Sequence, residues 1–421
     1  MPERTDDFPN SSQSTSEAAL NPTLYRTRIA DVQAELARRG LGSMIVIKPE
    51  HVRYLSGVWG YSTRPEYASP RRLVALVVPA SGEPTLIVPK IELNFASRRT
   101  WIRDVRHHVE WSPSPSEVFG GLSLLEVVLK EKGLAQGRAG LELGFISARL
   151  HGMLRDSFPQ LELEESSNVI ERLRMIKSAE EIEIMRISGR MAVAELQAEF
   201  AAIRAGVREY EIAQRGRAEA TRLAAQYLIE HDENSMPLEH PINDGLQILT
   251  SNERLDMVHA PASTRVLSEG DIILLDFCRI PQLYSYRIGF SRNAALRGLT
   301  AQEQEMYDIV NHSYDKALEV LKPGLPAEGP DLIAREILEK AGLADSFVHR
   351  TGRGVGLEGV EGPEIGAGDK TPLQPGMVVT VEPSIYYQGF AVHVEDTYLI
   401  TNDGYERLTE CPREVKVISA G

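Results

Sequence analysis

Three carboxylates stand at the ends of runs that otherwise read as buried β-strands. Asp276 follows Ile-Ile-Leu-Leu, Glu382 follows Met-Val-Val-Thr-Val and Glu395 follows Val-His-Val. An ionised side chain in an apolar strand is costly to bury unless it meets a cation or a metal. Any one of them alone reads as an ion-paired or strand-edge residue. Three together suggest a shared buried cationic object, and so a site.

The chain has 421 residues, more than one hydrophobic core usually supports, so two domains are expected. In the first part, Leu24 to Arg39 reads as an amphipathic helix with Ile29, Val32 and Leu36 on one face and Gly40 at its stop. An apolar run from Met44 to Ile47 follows. Leu73 to Pro79 and Thr85 to Val88 flank Ala-Ser-Gly-Glu and predict a hairpin. A helical stretch near Leu122 to Lys132 and the run Ala139 to Leu143 complete a unit in which helix and strand alternate, as in a sheet covered by helices. Past Val169 the texture changes. Glu171 to Ala202 reads as one long helix with charges three and four apart, and Glu209 to Leu228 as a second. Strands dominate the rest, with helices near Thr300 to Val320 and Pro330 to Ala341. The reading divides the chain into a tail (1–22), a first domain (23–168) and a second (169–421).

Charge and composition exclude several partners. Sixty acidic against 46 basic side chains give a net charge of −14, which argues against nucleic acid and anionic membranes. Two cysteines, Cys278 and Cys411, are too few for a disulfide framework or a thiolate metal site, and suit a reducing interior. The longest apolar stretch, Leu73 to Pro79, is of strand length and far short of a membrane span. The N-terminus is polar, acidic and Ser-rich, unlike a signal peptide. The cytoplasm is the expected address and a small molecule the expected partner.

Histidine, arginine and acidic residues concentrate in four islands of the second half: His259, Arg265 and Asp276; Arg287 and Arg292; His349, Arg353 and Glu361; Glu382, Glu395 and Asp396. Around them lie LRMIKSAEEIEIMR from Leu173 to Arg186, IRAGVREYEIA from Ile203 to Ala213, and H-x-P-x-x-x-R from His259 to Arg265. EGDIILLDF, HRTGRGVGL, PGMVVTVEP and VEDTYLIT complete the set. In these motifs the chain resembles the creatinase, prolidase and aminopeptidase P superfamily, the pita-bread fold. The resemblance implies an α/β (α+β) class. A creatinase-type N-terminal α/β domain would precede a C-terminal pita-bread catalytic domain, its curved antiparallel sheet covered by helices. It also implies a homodimer whose N-terminal domain lends loop residues to the partner's site. Trp59, Tyr61 and Arg64 would be those residues here.

Metallopeptidase members of that superfamily hold two metal ions with Asp, Asp, His, Glu and Glu. Asp276, Glu382 and Glu395 match three of these. The second Asp falls on Gly289 or, counted without a gap, on Arg287; the metal-binding His is Arg353, and a further His aligns with Val360. An always-charged guanidinium can neutralise carboxylates where a metal would have done so. The expectation is therefore no metal and no cofactor. Creatinase is the metal-free precedent: a His matching His259 moves protons there, and carboxylates including the match of Glu382 hold a cationic group. This implies a metal-independent, creatinase-like hydrolase of a non-peptide C–N bond in a small carboxylate-bearing metabolite. His259 and Glu382 would be catalytic, with Arg353, Glu395, Asp276, Arg287, His349, Trp59, Tyr61 and Arg64 holding substrate. Three alternatives stand beside it: a lyase abstracting a proton in the same pocket, a metal-dependent Xaa-Pro aminopeptidase or prolidase, and a non-catalytic binding protein of the same fold.

Overall fold

The computed structural model describes residues 22–59, 62, 69–111, 117–231, 247–277, 281–387 and 389–418. The chain enters through helix α1 (Pro22–Arg39), stopped by Gly40 at φ +69°. Strands β1 (Ser43–Val46), β2 (Ala75–Pro79), β3 (Thr85–Pro89), β4 (Asp104–His108), β5 (Gly137–Leu141) and β6 (Leu161–Glu165) form one mixed sheet, ordered β4-β3-β2-β1-β5-β6. The hairpin expected around Ala-Ser-Gly-Glu joins β2 to β3, antiparallel. Helices α2 (Pro49–Ser56), α3 (Leu93–Arg99), α4 (Gly121–Glu131) and α5 (Ala148–Ser157) complete this unit. Central β1 is buried on both faces, so Met44, Ile45 and Val46 are apolar in succession instead of alternating. Ile45 joins the core beneath α4 and α5, while Met44 and Val46 join the one that α1 closes.

The long helical pattern from Glu171 to Ala202 is broken in the structure into α6 (Ser167–Met175) and α7 (Ala179–Ala202). The reason is a capping box. The Ser178 hydroxyl accepts the Glu181 N–H at 3.2 Å, and the Glu181 carboxylate accepts the Ser178 N–H at 2.9 Å. Serine with glutamate three residues on is a start signal that helical spacing alone overrides. Glu181 also ties the two halves together: Arg28 of α1 lies 3.0 Å away and the Tyr286 hydroxyl donates to it at 2.7 Å. Helix α8 (Glu209–His231) packs on α7.

The second half is built on two sheets. One holds β7 (Ile248–Ser251), β8 (Ile272–Asp276), β11 (Ser291–Ala295) and β19 (Lys416–Val417), with the small hairpin β9 (Pro281–Leu283) and β10 (Tyr286–Arg287) between β8 and β11 in sequence. The other is wholly antiparallel, ordered β13-β12-β14-β17-β18: β12 (Gly352–Gly354), β13 (Glu361–Ile365), β14 (Val378–Val381), β17 (Asp396–Ile400) and β18 (Tyr405–Arg407). A hairpin of β15 (Ser384–Tyr387) and β16 (Phe390–His393) lies between β14 and β17 in sequence. Helices α9 (Ala301–Glu319) and α10 (Gly329–Lys340) cover one side. Strand β8 explains its own composition: Ile272 and Leu274 enter the core beneath α9, and Ile273 and Leu275 the core of α7 and α8. The two sheets meet where Ser291 and Glu395 exchange backbone hydrogen bonds of 3.2 and 3.3 Å. Among the described residues, no helix is long and apolar enough to cross a membrane.

Candidate active site at the seam of two sheets

The seam gathers the three carboxylates. Asp276 ends β8 opposite Ser291, Glu395 bridges Ser291, and Glu382 follows β14. On β14 the two-residue period sends Val379 and Val381 into the apolar core, so Thr380 takes the other face. The cation shared by the two glutamates is Arg353 of β12. Its Nη1 donates to Glu395 Oε1 at 2.7 Å, to the Thr380 hydroxyl at 3.0 Å and to Glu382 Oε1, and its Nε donates to the Gly359 carbonyl at 2.9 Å. Exposure is 3% for Arg353, 2% for Asp276, 8% for Glu382 and 0% for Glu395.

Burial disfavours ionisation of both glutamates, yet they part company. At Glu382 the Arg353 guanidinium outweighs burial and holds the carboxyl well below the usual range. Glu395 is pushed up, by burial and then by the negative charge of Glu382, so it keeps its proton into neutral pH.

Two histidines complete the site. His393 of β16 is 2% exposed. Its Nε2 lies 3.6 Å from Glu382 Oε2 and its Nδ1 3.8 Å from Asp276 Oδ2, and neither nitrogen makes a hydrogen bond. Burial lowers its basicity, but the surrounding carboxylates prevail and raise its pKa. His349 sits alongside, ring centroids 5.9 Å apart. Its Nδ1 is 2.7 Å from the Arg350 carbonyl and its Nε2 2.8 Å from the Tyr386 hydroxyl, and burial pushes its pKa down.

The other sequence candidates stand on other elements. His259 is exposed in a turn after β7. Arg287 is half-buried on β10, its Nε donating to the Leu357 carbonyl at 3.3 Å. Trp59 is half-buried with the Arg53 guanidinium 5.9 Å from its ring. Tyr61 and Arg64 lie outside the described residues. Sequence reasoning missed His393, Thr380 and Tyr386. A period-two count would have found the first, because His393 and Glu395 alternate with Val392 and Val394 and so share a face.

The two-ion donor set does not fit this chain. Gly289 faces the cluster: a Cβ there would meet Glu395 Oε1 at 2.2 Å and Thr380 Cγ2 at 2.5 Å, leaving no room for a ligating side chain. Arg353 fills the space between the two glutamates where an imidazole would have to reach an ion.

Residues 28–176 match the Creatinase/Prolidase N-terminal domain, and residues 183–402 match Metallopeptidase family M24. The chain belongs to family M24. Across this M24 chain the likeness runs nearly end to end. It is 30% identical to the Xaa-Pro dipeptidase of Pyrococcus furiosus over 392 residues, 93% of this chain and 99% of that one. The Xaa-Pro dipeptidase of Pyrococcus horikoshii is also 30% identical, over 90% of this chain and 95% of that one. Among solved structures, dipeptidase PepE from Mycobacterium ulcerans superposes with a TM-score of 0.77 at 26% identity, over 95% of this chain and 100% of that one. The α/β class and the pita-bread architecture are thereby established. The expected creatinase-like cleavage of a non-peptide C–N bond is overturned by these dipeptidase relatives. The physical reason is on view at the seam: Glu382 and Glu395 are both engaged by Arg353, so they do not form the free carboxylate pair that a cationic amidine requires.

Proposed function

We propose that this M24 protein is a hydrolase of the Xaa-Pro dipeptidase kind, cleaving the peptide bond before proline in a short peptide. The observation that carries the proposal is the near end-to-end likeness to the Pyrococcus furiosus enzyme, 93% of this chain against 99% of that one. The electrostatics of the seam support it. Two neighbouring carboxyls with pKa values driven apart divide acid and base work between them. Protonated Glu395 is the group able to hand a proton to a leaving prolyl nitrogen, while ionised Glu382 orients Arg353 and the imidazole of His393. Asp276 and His349 complete the centre. His259, Arg287, Trp59, Tyr61 and Arg64 are proposed as its substrate-holding rim, the last three reaching the site of a second copy in a homodimer. We place the protein in a reducing cytoplasm, in keeping with two cysteines in 421 residues, of which Cys411 is a buried free thiol. The test is proline release from a panel of Xaa-Pro dipeptides beside matched Xaa-Ala controls. Turnover confined to the Xaa-Pro set is expected. Silence on the whole panel overturns the proposal.

A further inference from the structure

We propose that His349, His393 and Glu382 form a mononuclear site for a borderline divalent transition ion, zinc above all, beside Arg353 and sharing only Glu382 with the two-ion donor set that does not fit this chain. One donor atom from each of the three lies within 4.8 Å of those of the other two. Two imidazoles and one carboxylate with an open position are a set that zinc accepts, at about 2.0–2.1 Å per nitrogen, which places two donors of a tetrahedral ion roughly 3.3 Å apart. His393 Nε2 and Glu382 Oε2 already face one another at 3.6 Å.

Three independent features point into that space. Both ring nitrogens of His393 are buried without a hydrogen-bond partner, a costly state for an imidazole with no ligand to serve. Each histidine has an acceptor on its Nδ1 side that leaves Nε2 for an ion. For His349 it is the Arg350 carbonyl at 2.7 Å, and for His393 it is Asp276 at 3.8 Å, standing where the carboxylate of a carboxylate–histidine–metal triad stands. Binding exchanges the Tyr386 hydroxyl for the ion as the partner of His349 Nε2. Glu382 is divided in the same manner, its Oε1 taken by Arg353 and Thr380 and its Oε2 facing His393.

The site is tested without any peptide, so its fate is separate from that of the proposed activity. The full chain is stripped with chelator and dialysed against zinc, and bound metal is counted by elemental analysis. Cobalt(II) in a parallel sample reports coordination through its visible spectrum. One ion per chain is expected. His393→Ala and His349→Ala each lose at least about 100-fold in affinity, Asp276→Asn loses about 10–100-fold as an outer-shell partner does, and Glu395→Gln and Tyr386→Phe keep one ion. Circular dichroism establishes that each variant is folded. Should His393→Ala fail to fold, His349→Ala and the wild-type cobalt spectrum decide. No bound ion, two ions per chain, or full affinity in folded His349→Ala overturns the proposal.

Discussion

Two buried arginines grip the same residue from opposite sides: Arg292 donates to the backbone carbonyl of Glu395 at 2.9 Å and Arg353 to its carboxylate at 2.7 Å. Arg292 itself is fully paired, although the neighbouring Arg407 keeps its Nε without a partner. The three nitrogens of Arg292 reach the carbonyls of Ser291, Pro412 and Cys411 and the carboxylate of Asp396, and Asp396 accepts further from Tyr314, Arg407 and Thr409. Around Arg353 the pairing is incomplete, for Glu395 Oε2 and both nitrogens of His393 lack partners. A saturated network holds strands together, whereas a partly saturated one holds room for something else. Two guanidiniums a seam apart thus differ in what they are for.

The largest expected effect comes from the saturated side. Arg292→Met takes from buried Asp396 one of its two arginines and from four backbone carbonyls a donor, and should cost about 3–5 kcal/mol in urea unfolding. A cost under about 1 kcal/mol would erase the contrast.

Titration comes next, because a carboxyl held by two cations, Glu361, and the proton-keeping Glu395 shift in opposite directions. At Glu361, Arg174 and Lys177 outweigh burial and lower the pKa from 4.5 to about 2. A depressed carboxyl stabilises the fold above the unfolded pKa and loses that contribution as pH falls from about 4.5 toward 2, worth about 2–3 kcal/mol. Glu361→Gln should flatten the acid limb of a stability–pH curve. Glu395 has the opposite sign. Its folded pKa is raised, so its contribution is present below the unfolded carboxylate pKa and drains away as pH rises toward the raised value. Glu395→Gln should remove that decline above pH 4.5, and an unchanged slope would show that Glu395 is ionised in the fold.

The smallest expected effect concerns space. Gly289→Ala should cost about 1–3 kcal/mol by overpacking Glu395 and Thr380, whereas Gly298→Ala, with nothing within 4 Å of its new methyl, should stay near zero. Equal costs at both glycines would mean that the seam is looser than its distances.

Much of this was legible from sequence because buried charge is rare and strand period is simple. Asp276, Glu382 and Glu395 announced themselves by interrupting apolar runs, and Arg353 by standing where the resembled metallopeptidase motif has histidine. His393 escaped because one imidazole between valines reads as ordinary strand, and its meaning lies in the bonds it fails to make, which no sequence displays. The break at Ser178 was written in the chain as a capping box but was masked by continuous helical spacing on either side. The substrate was illegible for a different reason. Metal-ligand positions report coordination chemistry, while the choice between a guanidino compound and a dipeptide rests on shape around the site.

The seam joins strands that end at 276 and begin at 396, so Asp276 meets Glu382, His393 and Glu395 from more than a hundred residues away. A nascent chain therefore carries Asp276 long before it owns Glu382, His393 or Glu395, and high-contact-order closure of this sort comes late. Metal affinity here would serve as a certificate of completed assembly, absent from any product that ends before His393.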